Sequence, residues 1–194
     1  MIALEALPSL RSLRRKANVF TQPDTFYSDR DLFISTWRNV LVSETAGDLT
    51  LERAKVLGRG YLDIARRYPN GFVACAFIRP GVPVASTEAR NEVARMLREH
   101  GATLKRIVTV IEESGLRGQM LRTVIRGINA MSRANHMLTC ANATSAYDLL
   151  VPLVDGYSEE PEITMQLLTA TVQRMRANYR LAVPLRPRRA SLGG

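Results

Sequence analysis

Residues 71–90 read GFVACAFIRPGVPVASTEAR, and this stretch decides the fold. Residues 72–78 form an apolar run between Asn70-Gly71 and Pro80-Gly81. A run this short, apolar at every position and rich in aromatic and β-branched residues, is typical of an inner strand buried on both faces. Ser86-Thr87-Glu88 then supplies a helix N-cap with an acid in the first turn. The stretch therefore predicts a central strand, a loop and the start of a helix.

Helix and strand patterns alternate on either side of this strand. Residues 32–37 and 40–45 predict a β-hairpin about Arg38-Asn39, and apolar residues at three-to-four spacing predict a helix from Thr50 to Tyr68. The same criteria predict further helices at 87–100, 116–132, 146–154 and 161–181, and core strands at 107–111 and 137–141. Strict alternation with short connections indicates an α/β fold of about five strands, in which parallel strand–helix repeats follow the hairpin.

Two stretches leave the packing of the sheet less defined. Residues 18–30 are polar and rich in turn formers, and predict no regular element. In the second hairpin strand, Val40, Val42 and Glu44 alternate with Leu41, Ser43 and Thr45. One face of the sheet is therefore expected to be semi-polar if the helices cover the other. Either the terminal helices or a second subunit would cover the semi-polar face, and we favour the terminal helices.

The chain has 194 residues, of which 46% are hydrophobic and 23% charged, and this suits one domain with an extension at each end. We predict a basic amphipathic extension at 1–24, the α/β domain at 25–157, an additional helix at 158–181 and a basic disordered tail at 182–194. Cys75 and Cys140 lie in apolar runs without framework spacing, which indicates a reducing compartment. We expect a cytoplasmic protein, because no stretch approaches the ~20 apolar residues of a membrane span and no secretory signal is evident.

The net charge of +9 is densest near the two ends of the chain. Leu4, Leu7, Leu10 and Leu13 recur every three residues in the N-terminal extension, which either binds a membrane or a partner groove or docks on its own domain. We favour docking or a frayed end, because Pro8 limits helix length and Glu5 dilutes the basic face; an Arg-rich organelle presequence is a further alternative. A basic surplus permits contact with nucleic acid or an anionic membrane, although solvated arms are the commoner outcome. The candidate polyanion-binding residues are Arg11, Arg14, Arg15, Lys16, Arg186, Arg188 and Arg189.

The sequence contains few residues of the types that carry out catalysis. His100 lies at a helix end, and His136 precedes a strand without an acid-and-nucleophile pattern. Cys75 lies inside an apolar strand, where a thiol is inert. Glu112 and Glu113 end a core strand, but neighbouring residues of a strand point in opposite directions. No metal-ligand spacing and no phosphate-binding glycine loop is found, so we expect no enzyme, no cofactor and no metal.

A set of arginines recurs along the helix predicted at 116–132. This set comprises Arg117, Arg122, Arg126 and Arg133. The spacing is compatible with a nucleic-acid groove, but a solvated helix face is the interpretation that we favour.

The order of elements over residues 31–154 resembles the STAS family, the sulfate-transporter and anti-sigma-factor-antagonist domains. Residues 39–50, NVLVSETAGDLT, are similar to the family's second strand and first helix, and residues 142–150, NATSAYDLL, to its final helix. In regulatory members, a switch kinase binds and phosphorylates a serine or threonine that caps the helix after the central strand. The resemblance implies that Ser86 or Thr87 has this role here.

The sequence thus favours a bacterial, STAS-like, non-catalytic module for regulation or scaffolding that acts by protein–protein contact. The expected contact residues are Ser86, Thr87 and Glu88, and the partner is another protein, either a regulatory kinase or a second copy of the chain. One alternative is a polyanion binder that uses the basic ends. A second alternative is a carrier of a small apolar ligand held between a helix and the sheet.

Overall fold

The computed structural model describes residues 22–133 and 137–182, which form one six-stranded sheet with helices on both faces. The strands are β1 (Asp24–Ser28), β2 (Leu32–Trp37), β3 (Val40–Thr45), β4 (Phe72–Ile78), β5 (Leu104–Ile111) and β6 (Met137–Cys140). The helices are α1 (Leu51–Arg67), α2 (Thr87–His100), α3 (Gly115–Ser132), α4 (Ala143–Leu150) and α5 (Pro161–Ala182), and a 3₁₀ turn (Val151–Leu153) follows α4.

The strands lie in sequence order, and their pairing changes once. β1, β2 and β3 are antiparallel, whereas β3 to β6 are parallel. The parallel strands are joined by α1, α2 and α3, as expected for crossover connections. The predicted α/β class, with a hairpin followed by parallel strand–helix repeats, is confirmed. No helix of the described residues is long and apolar enough to cross a membrane.

Three local predictions were wrong. Residues 24–28 form the edge strand β1, so the sheet has six strands instead of about five; β1 is largely exposed and lacks a buried apolar face to reveal it. Helix α4 begins at Ala143, three residues early, because Asn142 Oδ1 accepts a hydrogen bond from the Ser145 N–H at 2.9 Å and so caps it. β5 begins at Leu104, three residues before the predicted start; Leu104 is buried, but the charged Lys105 and Arg106 separate it from the apolar run.

Both faces of the sheet are buried, by different sets of helices. Leu41, Phe72 and Ala74 pack against α1, α2 and α3 on one face. Val42, Cys75 and Val108 pack against α4, the 3₁₀ turn and α5 on the other. The face that carries Glu44 is thus covered by α5, one of the two terminal helices that the sequence favoured for this role; the N-terminal one lies outside the described residues. The face of α5 that covers it comprises Leu168, Val172, Met175 and Tyr179, whereas Ile163 is exposed.

The side chain of Asn39 joins the hairpin to the segment that precedes α5. Its Nδ2 donates to the carbonyl of Leu153 at 2.9 Å, and its Oδ1 accepts from the N–H of Asp155 at 2.9 Å. Asn39 is fully buried, so these bonds satisfy polar atoms that are shielded from water. They fix the point at which the chain enters the helix that covers the second face.

Candidate functional site

The candidate site lies at the carboxyl ends of the parallel strands, where the loop of residues 79–86 joins β4 to α2. The loop begins at Arg79, whose guanidinium forms an ion pair with the carboxylate of Glu44 on the neighbouring strand β3. Glu44 is 0% exposed and Arg79 is 2% exposed. A buried charge pair of this kind holds its backbone firmly, because separating it would leave two charges away from water.

The middle of the loop is held by the turn that begins α3. Glu113 Oε2 accepts a hydrogen bond from the N–H of Gly81 at 2.7 Å. Arg117 Nη2 donates to the carbonyls of Gly81 and Val82 at 2.9 Å and 3.1 Å. The backbone φ of Gly81 is +84°, a conformation that glycine adopts without strain. Val82 is buried beneath the loop, so the segment is packed as well as hydrogen-bonded.

The loop ends at the N-terminus of α2, where the three predicted contact residues come together. Ser86 Oγ accepts a hydrogen bond from the N–H of Ala89 at 3.3 Å, which makes Ser86 the N-cap. Arg90 Nη2 donates to Thr87 Oγ1 at 2.9 Å. Ser86, Thr87 and Glu88 are all exposed. Hydrogen bonds from the Glu88 backbone and from Ser86 hold the pKa of the Glu88 carboxyl below its usual value.

A cluster of charged side chains lies on the opposite face of the same sheet edge, and we call it the Glu44 cluster. It comprises Glu44, Arg79, Glu112, Arg176 and Arg180. Arg180 Nε lies 2.8 Å from Glu44 Oε1, and Arg176 Nη2 lies 2.8 Å from Glu112 Oε1. Because Arg176 and Arg180 lie one helical turn apart on α5, both reach the same two carboxylates. The cluster therefore attaches α5 to the ends of β3 and β5.

The electrostatics of the cluster keep Glu44 ionised. Burial alone would raise the pKa of this carboxyl, but the charges and hydrogen bonds of Arg176, Arg180 and Arg79 outweigh burial and lower the pKa. Aromatic rings complete the packing: the Arg176 guanidinium lies 3.5 Å from the Phe77 ring centroid and that of Arg79 lies 4.9 Å from Tyr179. A carboxylate held ionised in this way is a poor proton donor, so the geometry suits attachment of a helix better than acid–base chemistry.

Sequence reasoning missed the Glu44 cluster. One signal was present, since Glu44 follows Val40 and Val42 on the buried side of its strand. A second signal was the pair Arg176 and Arg180, four residues apart beside the apolar face of α5. Neither signal identifies the other, because 132 residues separate Glu44 from Arg176.

An open groove of about 490 Å³ runs between β1 and α5. Phe33, Met175 and Tyr179 supply its apolar lining, and Gln22 and Ala182, where the described residues begin and end, also line it. Such a groove offers room for the small apolar ligand of the second alternative. That ligand remains a prediction, and a co-purified molecule detected by native mass spectrometry would support it.

The remaining candidates are separated by the structure. Burial raises the pKa of the Cys75 thiol to about 12, and burial lowers the pKa of the His100 imidazole. Glu112 faces the Glu44 cluster whereas Glu113 bonds to Gly81, so the two carboxylates diverge as expected. Across residues 22–133 and 137–182, no group of three or more His, Cys, Asp and Glu side chains is arranged to hold a metal. The candidate polyanion-binding residues and His136 lie outside the described residues.

Comparison with known proteins identifies no family for this chain. No protein-family model matches this chain, and no curated protein matches it. Among solved structures, the chain is similar to the crystal structure of an uncharacterized protein of the DUF3478 family from Shewanella loihica PV-4, which is described as having a SpoIIAA-like fold. The two chains are 16% identical with a TM-score of 0.48, and the similarity covers 64% of this chain and 97% of the other. A similarity at this level says nothing about function.

Proposed function

We propose that this protein is a non-catalytic regulatory or scaffolding module that binds another protein at the N-terminus of α2, through Ser86, Thr87 and Glu88. The observation that supports this proposal is the triple attachment of the preceding loop at Arg79, Gly81 and Ser86. Exposed side chains that are already fixed lose little conformational entropy when a partner binds, so more of the contact energy appears as affinity.

The same geometry is compatible with control by phosphorylation, as the STAS resemblance implies. A phosphate on Ser86 or Thr87 would lie at a helix N-terminus, where backbone N–H groups and the helix dipole favour negative charge. Arg90 already bonds to the Thr87 hydroxyl and would neutralise part of the added charge. The modification would add up to two negative charges to the contact surface, and a partner selected for the unmodified surface would lose affinity.

The contact site can be tested by crosslinking from a residue that leaves the loop intact. Asn91 is exposed one turn beyond Thr87, and a photo-crosslinking amino acid there would report on a bound protein. The matched control places the same amino acid at Arg66, exposed near the end of α1 at the amino ends of the strands. One discrete protein captured from source lysate at Asn91 and not at Arg66, and surviving a high-salt wash, is the expected result. Equal capture at both positions would contradict the proposal.

Charge substitutions at the cap test the same site independently. Aspartate caps helices as well as serine does, so Ser86→Asp adds a negative charge while the helix keeps its cap. Ser86→Asn is the neutral control that also caps. We expect Ser86→Asp and Thr87→Asp to abolish recovery of the crosslinked partner and Ser86→Asn to retain it. Unchanged recovery with both aspartate variants would remove this surface from consideration.

A polyanion-binding function is the second candidate, and one feature of the structure favours it. The segments outside the described ends, 1–21 and 183–194, together contain seven basic residues and one acidic residue. Gln22 and Ala182 line the same groove, so the two ends of the described domain lie near each other beside β1 and α5. Two basic segments attached at neighbouring points would bind a polyanion more tightly than either alone.

A further inference from the structure

The outward side of α3 carries an uncharged stripe along its length. Leu116 is 82% exposed, Met120 is 57% exposed and Met131 is 42% exposed. Thr123, Gly127 and Ala130 are exposed as well. At 3.6 residues per turn, these six residues fall on one side of the helix, and no charged residue lies among them. We call them the α3 stripe.

The α3 stripe does not hold the helix in place. Leu121 and Ile128 are buried on the inward side of the helix and attach it to the domain. Within residues 22–133 and 137–182, no element covers the stripe, since each of its six residues is exposed. A contiguous uncharged surface that includes large apolar side chains without a packing role is a common feature of interaction sites.

A row of arginines borders the stripe on one side. Arg122, Arg126 and Arg133 follow one another along this border, and α3 contains no aspartate or glutamate. None of the three forms an ion pair with an acidic residue of the part of the chain that the structure describes. Arg117, which the sequence grouped with them, lies on the other border and bonds to Gly81. The stripe therefore has one positively charged border whose charges are not neutralised by neighbouring carboxylates.

The centre of the α3 stripe consists of small residues, which allow another helix to approach closely. A Cβ at Gly127 would meet no atom within 4 Å, so the domain itself does not require glycine there. Glycine lowers the stability of an exposed helix, yet Gly127 lies beside Thr123 and Ala130 in the stripe. The larger Met120 and Met131 lie toward the N-terminal and C-terminal ends of the helix. Small residues at the contact allow two helix axes to approach to the short end of the usual 8–10 Å range. This arrangement fits the ridge of another helix.

Two other occupants fit the stripe less well. A second copy of α3 would bring arginines against arginines or against uncharged residues, because the helix has no carboxylate to offer. An anionic membrane would take up large apolar side chains, and the centre of the stripe has only Thr123, Gly127 and Ala130. We infer that the α3 stripe is a docking surface for an amphipathic helix of a partner protein that carries carboxylates along one border of its apolar face. This surface is separate from the N-terminus of α2.

The test uses a synthetic amphipathic peptide as the probe. It matches the 18 residues of α3 in length, with leucine and alanine on one face and glutamate along one border. The control peptide carries lysine in place of glutamate. Both are labelled and titrated against the full chain. We expect the glutamate peptide to bind at least about tenfold more tightly than the lysine peptide.

Variants of α3 separate docking from folding. Gly127→Gln replaces glycine by a better helix former that points to water, so the domain stays folded while the longer side chain blocks close approach. We expect it to weaken glutamate-peptide binding about tenfold. Ala170→Gln, an equally exposed substitution on α5, is the matched control and should leave binding unchanged. Arg126→Glu should reduce the preference for the glutamate peptide, because it removes one of the three positive charges of the border and adds a negative one.

Several outcomes would overturn the inference. They are the absence of glutamate-peptide binding, equal binding of the two peptides, and unchanged binding by Gly127→Gln. Binding to vesicles of phosphatidylserine and phosphatidylcholine in equal parts, weakened by Arg126→Glu and without peptide binding, would assign the surface to a membrane instead. Because these titrations use purified components, they stand or fall separately from the crosslinking experiment on α2.

Discussion

The carboxylate of Glu44 on β3 and the guanidinium of Arg176 on α5 form a buried ion pair between residues that lie 132 positions apart. Arg79 and Arg180 contact the same carboxylate, so three guanidinium groups converge on one anion. Arg79 also begins the loop that leads to Ser86. The side chain of Glu44 thus connects α5, which covers one face of the sheet, with the loop of residues 79–86, which leads to α2 on the other face.

Replacement of Glu44 by glutamine should destabilise the protein strongly. Arg79 would lose the carboxylate that neutralises it, and Arg176 would keep only Glu112. Removing one partner of such a buried group costs about 3–5 kcal/mol. Urea unfolding of the two proteins measures the difference in free energy. Glu52→Gln, which removes an exposed pair with Lys55, should cost less than about 1 kcal/mol. Similar losses in both variants would show that the cluster contributes no more than a surface pair.

The stability of the protein should fall on acidification, and Glu44 should be one cause. Its folded-state pKa lies below the ordinary value of 4.5, so the unfolded chain takes up a proton first as the pH falls. The stabilisation is therefore complete well above pH 4.5 and is lost as the pH drops through the lower, folded-state value. Urea unfolding between about pH 7 and pH 3 measures this loss. The fall should be shallower in Glu44→Gln, and an identical pH profile would refute the assignment.

Tyr179 should tolerate loss of its hydroxyl but not of its ring. The ring stacks on Phe33 with centroids 5.0 Å apart, and its buried hydroxyl has no hydrogen-bond partner among the described residues. Tyr179→Phe is expected to leave the free energy of unfolding unchanged or to raise it by up to about 1 kcal/mol. Tyr179→Ala is expected to lower it by about 3–5 kcal/mol. A marked loss in the phenylalanine variant would instead show that the hydroxyl makes a stabilising contact.

Two glycines of α3 should respond oppositely to alanine. A Cβ at Gly118 would lie 2.3 Å from the carbonyl oxygen of Glu113, in the turn that also holds Gly81, so Gly118→Ala should destabilise the protein by about 1–3 kcal/mol. Gly127 has open space, and Gly127→Ala should raise stability by up to about 1 kcal/mol through helix propensity. Thermal unfolding of both variants measures the two changes in stability. The same sign of change at both positions would contradict this difference.

Polyanion binding through the terminal segments should depend steeply on salt. Each arginine that neutralises a phosphate releases counterions, so replacing Arg186, Arg188 and Arg189 by serine should reduce the slope of log affinity against log salt by about three for a DNA duplex. Arg59→Ser, an exposed change on α1, serves as the control. Titrations at several salt concentrations provide the slopes, and an affinity independent of salt would exclude this function.

The local pattern of the sequence predicted the strands and helices well and their mutual arrangement only in part. Residues 72–78 form a strand as expected, because seven apolar residues between turn formers leave few other solutions. The start of α4 was missed because Asn142, Thr144 and Ser145 are all good N-cap residues, and in the structure Asn142 is the N-cap. The Glu44 cluster was missed for a different reason. Its members come from β3, β5, α5 and the loop after β4, and only the folded chain brings them together.

The burial of Glu44 beneath α5 also determines where the chain can be shortened. A fragment that ended before Pro161 would lose Arg176 and Arg180, and Glu44 would keep one of its three guanidinium partners. It would also expose Phe33 and Phe77 to water, since α5 covers both. We expect such a fragment to aggregate, so it would not represent the folded domain. The smallest autonomous unit for expression, labelling or fusion therefore extends through Ala182, and the last helix belongs to the folding unit itself.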